Sequence, residues 1–196
     1  MIRYQEVTPA DWPAIEQLFG PRGACGGCWC MWWRVPQGGK VWAAMQGAPA
    51  KAQFEEGITS GMIHGVLAFD GQLPVGWCAF GPREDYPRLN RTKSYQRPAE
   101  AGVWSIPCFY ITTNYRGQGV AKGLLGAAIK ALKKHRARII EAYPVTPTQA
   151  GGRLPPAFSA QGPLEIFLEA GFLEVQRIAT SRPVVQLHVY KTNTTR

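Results

Sequence analysis

No apolar run in the sequence approaches the roughly 18 to 20 residues that a bilayer span requires, and the start, Met1-Ile-Arg-Tyr-Gln-Glu6, lacks the apolar stretch of a signal peptide. Both absences point to the cytoplasm. Acidic residues are scarce: 13 Asp and Glu stand against 22 Lys and Arg, a formal net charge of +9. That excess raises nucleic acid, a membrane surface or an acidic small molecule as partner. Arginine-rich tails and RNA-binding signatures are missing, which makes nucleic acid the unfavoured reading. Part of the charge sits in Lys130, Lys133, Lys134, His135, Arg136 and Arg138, at the end of a helical pattern where cations complement the dipole. Histidine is sparse too. His64 and His188 stand alone beside strand patterns, and none of the three has a companion at metal-ligand spacing. The five cysteines are odd in number, three of them in Cys25-Gly-Gly-Cys28-Trp-Cys30, a pattern of reduced thiols rather than of a disulfide framework. Internal repeats and low-complexity tracts are absent.

What is present is a chain of 196 residues, 45% hydrophobic, enough to bury a core in a single domain spanning 1–196. Ile2 to Val7 reads as a strand. Thr8-Pro9-Ala10-Asp11 reads as a helix start, with a hydroxyl cap, proline at the first helical position and an acid three residues after the cap. Ile15, Leu18 and Phe19 supply the apolar stripe of that helix, and Gly20-Pro21 ends it. Weaker helical patterns run over Val41 to Met45 and Ala50 to Ile58. Asp70-Gly71-Gln72, between Gly65–Phe69 and Val75–Phe80, is a hairpin signal. Gly81 to Glu100 is polar, basic and proline-bearing, and reads as a long surface loop. Arg138 to Tyr143 predicts a strand, Gly151 to Pro163 a loop, and Leu164 to Ala170 a short helix closed by Gly171. Leu173–Ala179 and Val184–Lys191 predict an antiparallel pair.

Residues 20–40 form an irregular stretch dense in Cys, Trp and Gly. Cys-x2-Cys-x-Cys could bind zinc, yet no second cysteine pair or histidine pair follows to complete the ligand set. The competing readings are a loop lining a substrate cleft and plain packing of buried Cys and Trp. Trp29, Trp32, Trp33 and Trp42 could build an apolar wall, bind a cation through ring faces, or close the core over the first helix.

The most informative stretch is Ile111-Thr-Thr-Asn-Tyr-Arg-Gly-Gln-Gly-Val-Ala-Lys-Gly-Leu-Leu125. Before it, Val103 to Ile111 reads as a strand containing Pro107, whose missing N–H implies an edge, a bulge or a splayed neighbour. After it, Leu124, Leu125, Ala128, Ile129 and Leu132 recur at helical spacing over Val120 to Lys134. Between lies Arg116-Gly117-Gln118-Gly119. Glycines at a strand-to-helix junction allow a sharp turn and close approach, and the helix start adds unpaired N–H donors and a positive dipole end. Phosphate is the ligand such a junction suits best.

Arg116-Gly-Gln-Gly-Val-Ala121 resembles the Arg/Gln-x-x-Gly-x-Gly/Ala signature of the GNAT superfamily of N-acetyltransferases. The likeness extends to element order over nearly the whole chain, including Val75-Gly-Trp77 after the hairpin and the closing Phe167-Leu-Glu-Ala-Gly-Phe172. It implies an α/β (α+β) fold: one GNAT-like domain with a mixed, mostly antiparallel central sheet splayed at the motif strand and helices on both faces. It implies acetyl-CoA as co-substrate and no metal. The amides of Gln118, Gly119, Val120 and Ala121 would cradle the pyrophosphate, Lys122 would add charge, and Arg116 and Gly117 would shape the loop. Phe109 and Ile111 would offer backbone groups to the pantetheine arm. The implied activity is direct acetyl transfer to a primary amine of a small molecule or peptide. A non-catalytic acyl-CoA-binding or sensing module is the alternative, and a homodimer is compatible with either.

Two positions depart from the family. A glutamate base that some members carry eleven residues before the motif is Ser105 here, and the tyrosine acid that many carry in the last helix is Phe167. A serine hydroxyl is a poor base, and phenylalanine has no proton to give. Glu100, Glu141 or Ser105 could act through water on the amine, while Tyr110, Tyr143 and Cys108 are candidates for the acid; for each of these three, packing competes with catalysis. Cys28 and Cys30 could carry an acyl group, but the family pattern does not support covalent catalysis.

Overall fold

The computed structural model describes residues 1–36, 38–98, 100–146 and 159–189. Among these residues, seven strands form one sheet: β1 (Ile2–Glu6), β2 (His64–Asp70), β3 (Leu73–Pro82), β4 (Val103–Ile111), β5 (Ile139–Ala142), β6 (Leu173–Ala179) and β7 (Arg182–His188). They lie in the order β1-β2-β3-β4-β5-β7-β6. Every neighbouring pair is antiparallel except β4 and β5. A parallel pair needs a crossover, and the amphipathic segment after β4 supplies it as the longest helix among the described residues.

Among the described residues there are six helices: α1 (Trp12–Phe19), α2 (Gly39–Met45), α3 (Ala48–Thr59), α4 (Pro87–Arg91), α5 (Val120–Lys134) and α6 (Leu164–Glu169). The capping signal before α1 is realised: the Thr8 N–H donates to Asp11 Oδ2 at 2.8 Å, a short turn over Pro9–Asp11 precedes the helix, and Gly20 ends it. On one face, α5 lays Val120, Leu124, Leu125, Ala128 and Leu132 on the sheet, joined by Phe109, Phe167 and Phe172. On the other, Trp12, Phe19, Phe54 and Trp77 form an aromatic core beneath α1 and α3, with Phe19 stacked on Phe54 at 5.6 Å. Burying each such side chain contributes roughly 1.5–3 kcal/mol.

The stretch 81–100 corrects the expectation of a surface loop. It folds as a turn over Arg83–Asp85, helix α4 and a second turn over Lys93–Tyr95. Tyr86, Leu89 and Tyr95 enter a third core with Trp33, Tyr143 and Val184. Polar composition masked this because the buried residues are spaced too irregularly for a helical or strand period, and their partners are far away in sequence. The last strand also starts earlier than Val184: Arg182 and Pro183 belong to β7. Residues 151–158 of the expected loop, and 190–191 of the expected last strand, lie outside the described residues.

Pro107 sits where the sheet changes. Ala79 pairs with Cys108 and Gly81 with Ser105, so Ile106 and Pro107 together oppose Phe80 alone, a β-bulge. On the other side, β4 pairs with β5 only from Val103 to Ile106. Beyond Pro107 the two strands part, and no described strand pairs with β4 on that edge.

Candidate active site

The parting of β4 from β5 leaves a backbone edge that no described strand pairs. The Thr112 N–H donates to the Val75 carbonyl at 3.0 Å. Alternation along an antiparallel ladder then turns the amides of Tyr110 and Cys108 toward β3, and those of Phe109 and Ile111 toward the opening. The Ile111 carbonyl accepts a bond from Arg116 Nε at 3.0 Å, which ties the loop after β4 back onto that edge.

The loop enters α5 through two glycines in the left-handed region, Gly117 at φ +73° and Gly119 at φ +78°. Nothing lies within 4 Å of where a Cβ would stand at either, so conformation rather than crowding requires glycine there. The first helical bond runs from the Gly123 N–H to the Gly119 carbonyl at 3.1 Å. The N–H groups of Val120, Ala121 and Lys122 therefore have no intrahelical acceptor, and no capping side chain takes them.

A cleft of about 1110 Å³ opens over this junction. Of the residues named for cofactor binding, Phe109, Ile111, Arg116, Gly117, Gly119, Val120, Ala121 and Lys122 all line it; the Gln118 side chain instead donates to the Asn114 carbonyl at 2.6 Å. Lys122 Nζ lies 2.8 Å from Glu169 Oε2 of α6, both side chains well exposed. Such an exposed pair is worth little and leaves the ammonium able to serve another anion.

The opposite wall is the Cys- and Gly-rich stretch after α1. Arg22, Ala24, Cys25, Gly26 and Gly27, with Gln46, face the cleft. This loop carries backbone strain: Ala24, Trp29 and Cys30 have φ of +64°, +41° and +58°. Gly23 accommodates it, since a Cβ there would lie 2.3 Å from the Trp29 indole nitrogen. The stretch divides between the cleft wall and the cores. Cys25 faces the cleft, whereas Trp29, Cys30, Met31 and Trp33 are buried in the cores. Composition pointed to the stretch; only its path shows which side chains turn outward.

The catalytic candidates separate by position. Tyr110 lines the cleft, half-buried, its ring edge-on to Phe19 at 5.6 Å. Tyr143 is wholly buried: its hydroxyl donates to Glu141 Oε1 at 2.6 Å and lies 2.8 Å from Ser105 Oγ. Burial, then the Glu141 charge, pushes its phenol well above the ordinary tyrosine range. Glu141, paired in register with Ser105, accepts from Arg83 Nε at 2.9 Å and Gln186 Nε2 at 2.7 Å, and meets Arg97 Nε at 3.2 Å. Both carboxylate oxygens are thus engaged within the fold. Arg83, Arg97 and Gln186 carried no sequence signal as partners, because they come from two distant segments. Glu100 is exposed, outside the cleft lining.

Cys108 packs beside Cys30. Its thiol is held well above the usual range by the hydrogen bond to Cys30 and by burial. Cys30 also accepts from Trp77 Nε1 at 3.2 Å. Burial raises Cys28 to about 11. Cys28 and Cys108, this reluctant to ionise, make poor nucleophiles at neutral pH, whereas the hydrogen bond with Cys108 draws the Cys30 thiol below its usual range in a buried position off the cleft lining. Phe167 lies in the core against Phe109 and Phe172. His64 packs on Phe80 and His135, and the His135 ring bonds Glu6. Among the described residues, no three of His, Cys, Asp and Glu gather as metal ligands, and no helix is long and apolar enough to cross a membrane.

The sequence matches the model of the Acetyltransferase (GNAT) family over residues 30–151. No curated protein matches it significantly. Among solved structures, it is similar to PaiA N-acetyltransferase from Thermoplasma acidophilum in complex with coenzyme A, with a TM-score of 0.55 and 14% identity over 96% of this chain and 99% of the other. It is also similar to YncA from Salmonella typhimurium with its cofactor acetyl-CoA, with a TM-score of 0.54 and 12% identity over 98% and 96% of the two chains. Ribosomal-protein-alanine N-acetyltransferase from Brucella melitensis gives a TM-score of 0.53 and 16% identity over 96% and 99%. At these identities the likeness is one of fold.

Proposed function

The chain belongs to the GNAT acetyltransferase family, and from that premise we propose that it moves an acetyl group from acetyl-CoA directly to a primary amine of a small molecule or peptide. One observation carries this reading: the unpaired edge of β4 and the uncapped start of α5 open into the same cleft. The amides of Val120 and Ala121, with the helix dipole, suit a pyrophosphate. Lys122 can turn to it from Glu169. The outward amides of Phe109 and Ile111 suit the pantetheine arm, and an N–H on that edge can polarise the thioester carbonyl.

In the transfer, the neutral amine nitrogen attacks the thioester carbon, the new C–N bond forms, and the C–S bond breaks with its electrons on sulfur. The nitrogen gives up its extra proton to water, and the thiolate takes a proton, leaving the neutral amide and free CoA thiol. Tyr110 is the proposed donor, since of the candidate hydroxyls and thiols only its residue lines the cleft. Glu141 and Tyr143 fit the role of buried anchors that fix the base of the opening at Ser105. The cofactor cleft contains no catalytic carboxylate at the family position, which also favours a second reading, an acyl-CoA-binding or sensing module.

Release of free CoA separates the two. Purified protein is given acetyl-CoA and a broad panel of primary amines, and liberated thiol is measured against amine-free hydrolysis. Amine-dependent release is expected. Tight CoA binding with no turnover across the panel would leave the binding module as the function.

A further inference from the structure

A second cavity, of about 600 Å³, lies away from the cofactor cleft and shares no lining residue with it. Its walls come from the segment between α1 and α2, from α4 and from the start of β7: Trp32, Trp33, Arg88, Arg91, Thr92 and Arg182, together with Pro36 and Gly38. Three arginines line one space, and none of the described lining residues is acidic.

Arg88 shows that this is a built feature rather than a solvated charge cluster. It is only 7% exposed, its Nε donates to the Val35 carbonyl at 3.0 Å, and its guanidinium lies 3.7 Å from the centre of the Trp32 ring. Trp42 stands edge-on to Trp32 at 5.0 Å and 5.8 Å from the same guanidinium. Burial costs a cation hydration, here enough to lower the Arg88 pKa. Arg182 reaches over Tyr95, 6.0 Å from the ring centre, and Arg91 is exposed at the rim. Guanidinium forks match the planar oxygens of a carboxylate or phosphate. Trp32, still 38% exposed, adds a face on which a flat ring can stack.

We propose that this cavity binds an oxyanion, a carboxylate or phosphate, carried on an aromatic or heterocyclic ring. The site does not depend on acetyl transfer. The anion could belong to the amine acceptor or to a separate small molecule that modulates the enzyme.

Benzoate, phenyl phosphate and neutral benzamide, titrated into the full-length protein and followed by tryptophan fluorescence and calorimetry, test the proposal. Either anion should bind at least about tenfold more tightly than benzamide, as charge-assisted hydrogen bonds require. Arg91→Gln, at the exposed rim, should weaken that binding about tenfold with CoA affinity unchanged, and Arg182→Gln should do the same. Equal affinity for benzamide and benzoate, or anion binding indifferent to both variants, would overturn the site. Turnover identifies the source. If the anion is the acceptor's own, Arg91→Gln raises KM when para-(aminomethyl)benzoate is the acceptor and leaves it unchanged with benzylamine. If it is a separate ligand, benzoate alters benzylamine turnover in the parent protein and not in Arg91→Gln. Anion binding that holds while no amine is acetylated would keep the site and discard the transferase reading.

Discussion

Two tyrosines a strand apart illustrate how position divides chemistry from support. Tyr110 borders the cleft, while the Tyr143 hydroxyl is spent between Glu141 and Ser105 inside a core. Tyr110→Phe is expected to lower kcat about 10²-fold, the scale of a lost proton donor, with CoA affinity and melting temperature unchanged. Tyr143→Phe strands a carboxylate lone pair and a serine hydroxyl in the interior, a cost of about 1–3 kcal/mol. At roughly 2–4 °C per kcal/mol for a chain of this size, its melting temperature should fall several degrees. Single-turnover kinetics and thermal denaturation of both variants check the assignment; the reverse pattern would move the proton donor to Tyr143. Burial holds the Tyr143 phenol well above its usual range, so it stays protonated through neutral and mildly alkaline pH and its network loses no stability there. The sequence made both residues candidates. It held no means of ranking them, because the ranking rests on Arg83, Arg97 and Gln186, which reach Glu141 only through the fold.

At the scale of elements, the junction of β4 and α5 concentrates what the sequence displayed. The strand before the turn, the two glycines and the apolar spacing are local features, and α5 spans the residues its period indicated. Gly119 is needed for its positive φ, not for space. Gly119→Ala therefore tests backbone strain alone, at about 1 kcal/mol. Gly119→Glu adds a carboxylate where the pyrophosphate is proposed to sit. The glutamate variant should lose CoA affinity at least about tenfold beyond the alanine variant, in line with a charge at a helix start, both remaining folded by circular dichroism. Equal CoA affinity in the two would place the phosphates elsewhere. Pro107 announced an interrupted strand, yet the extent of the opening was set by β5, whose pairing stops at Ala142. The stretch 81–100 was misjudged at this same scale: its proline and charge hid Tyr86, Leu89 and Tyr95, whose burial depends on Trp33 and Val184 far along the chain.

For the whole molecule, a ligand that binds only the folded chain must stabilise it by mass action. CoA at a hundredfold excess over its Kd should add about 2.7 kcal/mol, or roughly 5–11 °C in melting temperature. A melting temperature unmoved by millimolar CoA would contradict the cofactor assignment. The surplus of positive charge also resolves at this scale. Lys130, Lys133, Lys134, Arg136 and Arg138 are exposed around the end of α5, whereas Arg83 and Arg88 are buried and given specific partners.

By itself the sequence determined what short-range sterics and periodicity can fix: the capped first helix, the hairpin, the glycine turn before α5 and the family to which that turn points. Tertiary structure alone decided which backbone edge stays open, which tyrosine meets the cleft, and how Arg88, Arg91 and Arg182 come to face one cavity. The first set depends on φ, ψ and side-chain period within a few residues. The second depends on strand pairing and on charges brought together from distant parts of the chain, and no local pattern records those.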